Sequence, residues 1–179
     1  MQYLIRKASL NDCNKIEELI AISARGLSIN DYTSEQIEGA LSGAFGLDTQ
    51  LIRDGTYFVA EADELMVGCG GWSRRKTLFG SDKSESRDSA ELNPETDAAK
   101  IRAFFIHPEW ARKGIGKAIL ERCESEAKLY GFNSLELMST LPGVKFYRSC
   151  GFIGTEQIEY KLPSGTFITF LPMKKVLKH

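Results

Sequence analysis

Lys100–Gly116, KIRAFFIHPEWARKGIG, is the stretch on which the rest of the chain turns. Lys100 to Ile106 ends in a near-continuous apolar run, the pattern of a strand covered on both faces. His107-Pro108 closes it, because proline has no N–H to give to a ladder. Beyond the glycines, Ile115 to Tyr130 is a helix whose apolar stripe is Ile115, Ala118, Ile119, Cys123, Ala127 and Tyr130. Lys117 with Glu121, and Glu124 with Lys128, stand four apart on its wet side. Gly131 suits the left-handed position just past its end. The first N–H groups of such a helix have no acceptor within it and carry the positive end of its dipole, so they attract phosphate. Gly114 and Gly116 let the backbone approach a ligand closely. Arg112, Lys113 and Lys117 add cations beside it. Two familiar nucleotide patterns do not fit. GxxxxGK[ST] fails because Ala118 follows Lys117 and no glycine precedes at the required spacing, and GxGxxG fails at Ile119.

Working outward toward the N-terminus, Tyr3 to Arg6 reads as a strand. Ser9 with Asp12 then makes a capping-box start for a helix carrying Cys13, Ile16, Leu19, Ile20 and Ser23, with Gly26 as its stop. Ser34 to Ala44 is a second, weaker helix interrupted by Gly39 and Gly43. Thr56–Ala62 and Leu65–Trp72 are strand-like and joined by Asp63-Glu64, which predicts a hairpin. Ser73 to Ala98 is a polar connection of 26 residues, long enough to be a functional lid, a mobile insertion or a solvated loop. Toward the C-terminus, Ser134–Met138 is a strand and Val144–Cys150 a short helix capped by Gly151. Glu156–Leu162 and Thr166–Met173 are β-like runs around a Pro-Ser-Gly turn. This order predicts a single α+β (mixed α/β) domain over residues 1–179 with about four helices.

Composition excludes several classes. A net charge of −1 gives no basic excess for holding nucleic acid. No run approaches a membrane span or the apolar core of a signal peptide. Cys13, Cys69, Cys123 and Cys150 are widely spaced, and there are only two histidines, so no metal site is expected. The thiols read as reduced ones in a cytoplasmic protein, mostly small core residues.

FFIHPEWARKGIGKAILERCESEA, followed by LELMSTLPGVKFYRSCGF, resembles the GNAT superfamily of acyl-CoA-dependent N-acyltransferases. The first segment is similar to that family's phosphate-loop motif, Q/R-x-x-G-x-G/A. The second is similar to its strand-plus-short-helix motif ending FY-x-x-x-GF. The likeness is strongest over about residues 99–153. It implies a splayed, mostly antiparallel central sheet with acetyl-CoA as cosubstrate beside the strand ending at Ile106. Phe104, Phe105 and Ile106 would align with the pantetheine arm, and Arg112, Lys113, Gly114, Ile115, Gly116 and Lys117 would hold the pyrophosphate. Ala111 replaces the motif's leading Gln or Arg, which leaves the task to backbone amides and neighbouring cations.

Acyl transfer to an amine needs a neutral nucleophile, a stabilised oxyanion and a proton for the departing thiolate. The resemblance places Tyr147 as the general acid and the Ile106 N–H at the oxyanion. The bland alternative for Tyr147 is a packed tyrosine. No base is assignable: His107 more naturally shapes the turn, and Glu136 is a second candidate, direct or through water. Trp72, Arg74, Arg75 and Lys76 begin the long connection and are either contacts for an anionic acceptor or a solvated basic turn. Cys150 reads as core, since no histidine partner is near it. The expected activity is acetyl transfer from acetyl-CoA to the amine of a small molecule by direct attack in a ternary complex. The alternatives are a protein-lysine or N-terminal acetyltransferase, or a non-catalytic acyl-CoA sensor. A homodimer is compatible with the sequence.

Overall fold

A computed structural model describes residues 2–85 and 87–179. Met1 and Ser86, the latter within the 73–98 connection, lie outside the described residues. The elements run β1 (Leu4–Lys7), α1 (Cys13–Leu27), α2 (Ser34–Leu41), α3 (Thr49–Arg53), β2 (Tyr57–Ala62), β3 (Leu65–Ser73), β4 (Ala99–Ile106), α4 (Ile115–Tyr130), β5 (Ser134–Thr140), α5 (Val144–Ser149), β6 (Ile158–Lys161) and β7 (Phe167–Val176). One seven-stranded sheet has the order β1-β2-β3-β4-β5-β7-β6. Every pairing is antiparallel except β4 with β5. That single parallel pairing covers only Ala99↔Leu135 and Lys100↔Glu136, after which the two strands part. The mixed α+β class and the splayed, mostly antiparallel sheet match the expectation from the sequence.

Local signals explain most boundaries. Asp63 (φ 48°) and Glu64 (φ 66°) are both left-handed, so the β2–β3 hairpin closes through two residues of primed-turn geometry. The Ser9/Asp12 capping box is present, but it starts a short 3₁₀ turn, Leu10–Asp12, that feeds α1. Thr33 and Gln36 form a second capping box at α2. Gly26 does not stop α1, which continues to Leu27. Its role is close packing, because a Cβ there would lie 2.4 Å from Pro108 Cγ in the turn that follows β4. A fifth helix, α3, escapes the sequence reading because five residues are too few to show a period. Asp48 caps it, accepting from the Gln50 N–H at 3.0 Å.

The sheet separates two cores. α4 and α5 cover one face, where Ile119, Leu120, Phe132 and Leu135 are at most 2% exposed. α1 to α3 cover the other with Ile16, Leu19, Ile20 and Leu51. Glu124 pairs with Lys175 of β7 at 2.6 Å rather than with Lys128, since the sheet brings an opposite charge nearer than the helix does. β4 departs from its expected burial on both faces. Ala99 to Arg102 are buried, but Ala103 to Ile106 are only half-buried, because β5 has left them. No helix among the described residues is long and apolar enough to cross a membrane.

Candidate active site

The free half of β4 is shaped by a bulge. Ala103 takes φ 52°, and the register with β3 shifts between Cys69 and Gly71. The Tyr57 hydroxyl donates to the Ala103 carbonyl at 2.8 Å and fixes the distortion. Gly70 is required opposite it, since a Cβ there would fall 2.7 Å from the Phe104 ring. The bulge sends consecutive aromatic side chains to different faces. Phe104 meets Tyr147 on the α4/α5 side, with ring centroids 6.3 Å apart, and Phe105 meets Phe45 on the α1–α3 side at 6.0 Å. The Ile106 N–H points toward α1 and donates to Ser23 Oγ at 3.1 Å. The next N–H, of His107, returns to β3 and the Val67 carbonyl at 2.9 Å.

β4 leads directly into the 107–117 segment that the resemblance assigns to pyrophosphate. His107 Nδ1 accepts from the Glu109 N–H at 3.2 Å and caps the Pro108–Trp110 turn, so its side chain shapes the loop. Arg112 (φ 61°) and Gly114 (φ 85°) are both left-handed, and Gly114 is the N-cap of α4. The first bond into the helix is Ala118 N–H to Gly114 carbonyl at 3.0 Å. The N–H groups of Ile115, Gly116 and Lys117 therefore precede the hydrogen-bonded ladder, in a row beside the cleft. Two glycines set the loop's position. A Cβ on Gly68 of β3 would lie 2.7 Å from Ile115 Cγ2, and one on Gly116 would lie 3.2 Å from the Phe146 ring.

These pieces meet in one cavity of about 810 Å³. Phe104, Phe105, Ile106, Arg112, Gly114, Ile115, Gly116, Lys117 and Tyr147 all line it. Lys113 does not; its ammonium lies over the Trp110 ring at 4.9 Å. Tyr147, 9% exposed, packs among Phe146, Phe152 and Phe104. Burial pushes its phenol well above the ordinary value, so the group is protonated at neutral pH. Its hydroxyl has no hydrogen-bond partner among the described residues.

Glu136 and the Trp72–Lys76 candidates fall elsewhere. Glu136 sits at the closed end of the β4–β5 pair, where it forms an ion pair with Lys100, and it does not reach the cleft. The Trp72–Lys76 stretch is carried to that same end by the Ser73↔Lys100 register. There Trp72 Nε1 donates to Glu126 at 2.9 Å, and Arg75 grips Asp54 through two bonds of 2.7 and 2.9 Å. Arg74 lies over the Tyr130 ring at 5.4 Å. These arginines hold the connection to the body, with no access to an acceptor in the cleft.

The same connection reaches the cleft further along, through Leu78, Phe79 and Gly80. Arg102 of β4 holds it there, donating to Gly80 O at 2.7 Å, to Thr77 O at 3.2 Å and to Asp48 Oδ2 at 3.0 Å. Arg87 closes the network on Asp48 Oδ1 at 2.8 Å. Ser23, Phe45, Leu78, Phe79 and Arg102 were thus missed as cleft residues. The available signal was the Phe-Gly pair at 45–46 and again at 79–80, an aromatic residue beside a glycine in each of two connections.

The chain matches the family model described as an acetyltransferase (GNAT) domain over residues 53–153, more than half its length. No curated protein matches it by sequence. Among solved structures it is similar to a GCN5-related N-acetyltransferase from Rhodopseudomonas palustris, at 16% identity and TM-score 0.72, covering 99% of this chain and 97% of that one. It is similar to the PaiA N-acetyltransferase of Thermoplasma acidophilum in complex with coenzyme A, at 18% identity and TM-score 0.65, covering 99% and 100%. It is also similar to YncA of Salmonella typhimurium, a structure with acetyl-CoA, at 18% identity and TM-score 0.63, covering 100% and 96%. At these identities the likeness is one of fold. The family match, joined to a splayed β4 that runs into a glycine-capped helix N-terminus, shows that the chain belongs to the GNAT family of acetyltransferases.

Proposed function

We propose that this chain transfers the acetyl group of acetyl-CoA to the amine of a small molecule by direct attack in a ternary complex. The observation that carries the proposal is the parting of β4 from β5 after Lys100, which leaves the edge at Ala103–Ile106 continuous with the start of α4. An extended pantetheine arm lies along such an edge as an added strand would. The pyrophosphate meets the N–H groups of Ile115, Gly116 and Lys117, with Arg112 and the Lys117 ammonium neutralising its charge. The similar structures holding coenzyme A and acetyl-CoA support the donor assignment. A compact acceptor is favoured because α1, the α2–α3 connection, the 73–98 connection and β7 all contribute to the cleft wall.

In the reaction the amine lone pair attacks the thioester carbonyl carbon. A C–N bond forms, the carbonyl oxygen takes the charge, and collapse breaks the C–S bond. The departing thiolate takes a proton from the Tyr147 hydroxyl, the nitrogen loses one to water, and Tyr147 regains one from water to restore the starting state. The Ile106 N–H already donates to Ser23 Oγ, so an acyl oxygen takes that bond by displacing the hydroxyl.

Thermal unfolding with and without coenzyme A tests the donor site. At a hundredfold excess over Kd a native-state ligand stabilises by about 2.7 kcal/mol, roughly 5–11 °C for a chain of this size. Thiol release across an amine panel then tests turnover, and Tyr147→Phe lowers kcat while leaving that thermal shift intact. Failure of coenzyme A to raise Tm overturns the proposal.

A further inference from the structure

The two ends of the cleft differ sharply in chemistry. The phosphate end carries Arg112, Lys117 and the α4 N-terminus. The opposite end, across β4, is walled by Phe45, Leu78, Phe79, Phe105 and Phe170. Its rings pack against one another, Phe45 with Phe105 at 6.0 Å, Phe45 with Phe170 at 6.1 Å, and Phe79 with Phe170 at 5.6 Å. The charged group at this end, Arg102, is 4% exposed and bonded to Asp48. Around the entire cleft the titratable or charged lining residues are Arg102, Arg112, Lys117, Lys145, Tyr147 and Cys150. Among the described residues no aspartate, glutamate or histidine lines it.

From this we infer that the acceptor is an aromatic amine, an amino group conjugated to a flat apolar body, which enters the cleft as its free base. The inference rests on the acetyltransferase reading above and names its acceptor class. An alkylammonium ion would leave water for an apolar wall that, among the described residues, holds no carboxylate to pair with it. Burial without a carboxylate partner disfavours the protonated form, and no aspartate, glutamate or histidine among the described lining residues is there to accept its proton. An aromatic amine avoids the difficulty, because conjugation of its lone pair leaves it uncharged at neutral pH. Its ring also suits the Phe45, Phe79 and Phe105 wall, where aromatic surfaces meet at their edges. The amine then needs no base before attack. It loses its proton to water only after the C–N bond has formed.

The experiment is steady-state acetylation by the wild-type chain of matched amines: aniline and 4-methylaniline, benzylamine, spermidine, and a lysine-containing peptide. Coenzyme A-induced thermal stabilisation is measured in parallel. The expected result is highest kcat/KM for the two anilines, with values flat between about pH 6 and about pH 9. Benzylamine, if accepted, rises about tenfold per pH unit below its own pKa, since only its free base reacts. Phe79→Ala raises KM for the anilines about tenfold or more while leaving KM for acetyl-CoA unchanged. Preference for spermidine or the peptide overturns the inference, as does an acidic limb in the aniline profile, which would reveal a titrating base. Acetylation of none of the amines overturns it too. If coenzyme A fails to stabilise the protein, the acetyltransferase reading falls and this inference falls with it. If stabilisation is present and an aliphatic amine wins, the acceptor assignment alone is wrong.

Discussion

Replacing Arg102 with methionine removes the charge that joins β4 to the 73–98 connection and to the start of α3. The pair is deeply buried, with side chains 3% exposed for Arg102 and 2% for Asp48. Methionine nearly fills the space, so the loss is polar rather than a cavity. The Gly80 and Thr77 carbonyls lose their donor, and Asp48 Oδ2 loses its partner at 3.0 Å. Removing one member of a buried pair costs about 3–5 kcal/mol. Asp48 keeps Arg87 at 2.8 Å and the Gln50 N–H at 3.0 Å, which places the cost near the lower end, about 3 kcal/mol. For a chain of this length that is a fall in Tm of roughly 6–12 °C. Limited proteolysis should also cut the 73–98 connection faster, because its anchor has gone. The double variant Arg102→Met/Asp48→Asn should lose less than the sum of the single changes, by about 1–3 kcal/mol, since it leaves neither member of the buried pair charged, and Arg87, partly exposed, keeps Asp82 at 3.6 Å. Asparagine can still cap α3. A Tm for Arg102→Met within about 1 °C of wild type, or strict additivity in the cycle, would refute this reasoning.

Two further changes probe other parts of the molecule. Gly114→Val forces a β-branched residue into φ 85°, although a Cβ there would meet nothing within 4 Å, so the obstacle is conformational strain. The loop should relax and lose its row of N–H groups, abolishing coenzyme A-induced stabilisation while circular dichroism shows the fold retained; unchanged binding by calorimetry counts against pyrophosphate binding by the Ile115, Gly116 and Lys117 N–H groups. Asp12 accepts from both Arg6 nitrogens at 2.8 Å, and the guanidinium holds its carboxyl down at about 2. A depressed carboxylate stabilises the native state above its unfolded value and loses that contribution as pH falls from about 4 to about 2. With Arg6 partly solvated the amount is between about 1 and 2 kcal/mol, and urea titrations across that range should show the slope in wild type and its absence in Asp12→Asn.

Much of the fold was legible because it depends on near-neighbour chemistry. The α4 stripe and Gly131 mark that helix at its observed ends, Ile115 and Tyr130. Asp63-Glu64 marks the hairpin, and the Thr56 to Trp72 runs become β2 and β3 within a residue at each outer end. Elements whose reason is tertiary were misread. Gly26 looks like a helix stop in sequence, yet its glycine is demanded by Pro108, 82 positions away. Glu124 has a good helical partner in Lys128 but finds a better one in Lys175.

The sequence by itself determined the Arg112–Lys117 turn, since glycines between a strand and a long helix mark the helix start, whose first N–H groups have no acceptor within the helix. It also determined that Tyr147 follows a strand on a short helix. Which ionisable groups share the cleft was decided only by tertiary structure. Register along β3, β4 and β5 carries Glu136 and the Arg74–Arg75 pair to the closed end of the sheet. The same chain folding brings Phe45, Phe79 and Phe170, far apart in sequence, into one wall. No local pattern encodes that, because a strand's register and the point at which two strands part depend on how its neighbours pack.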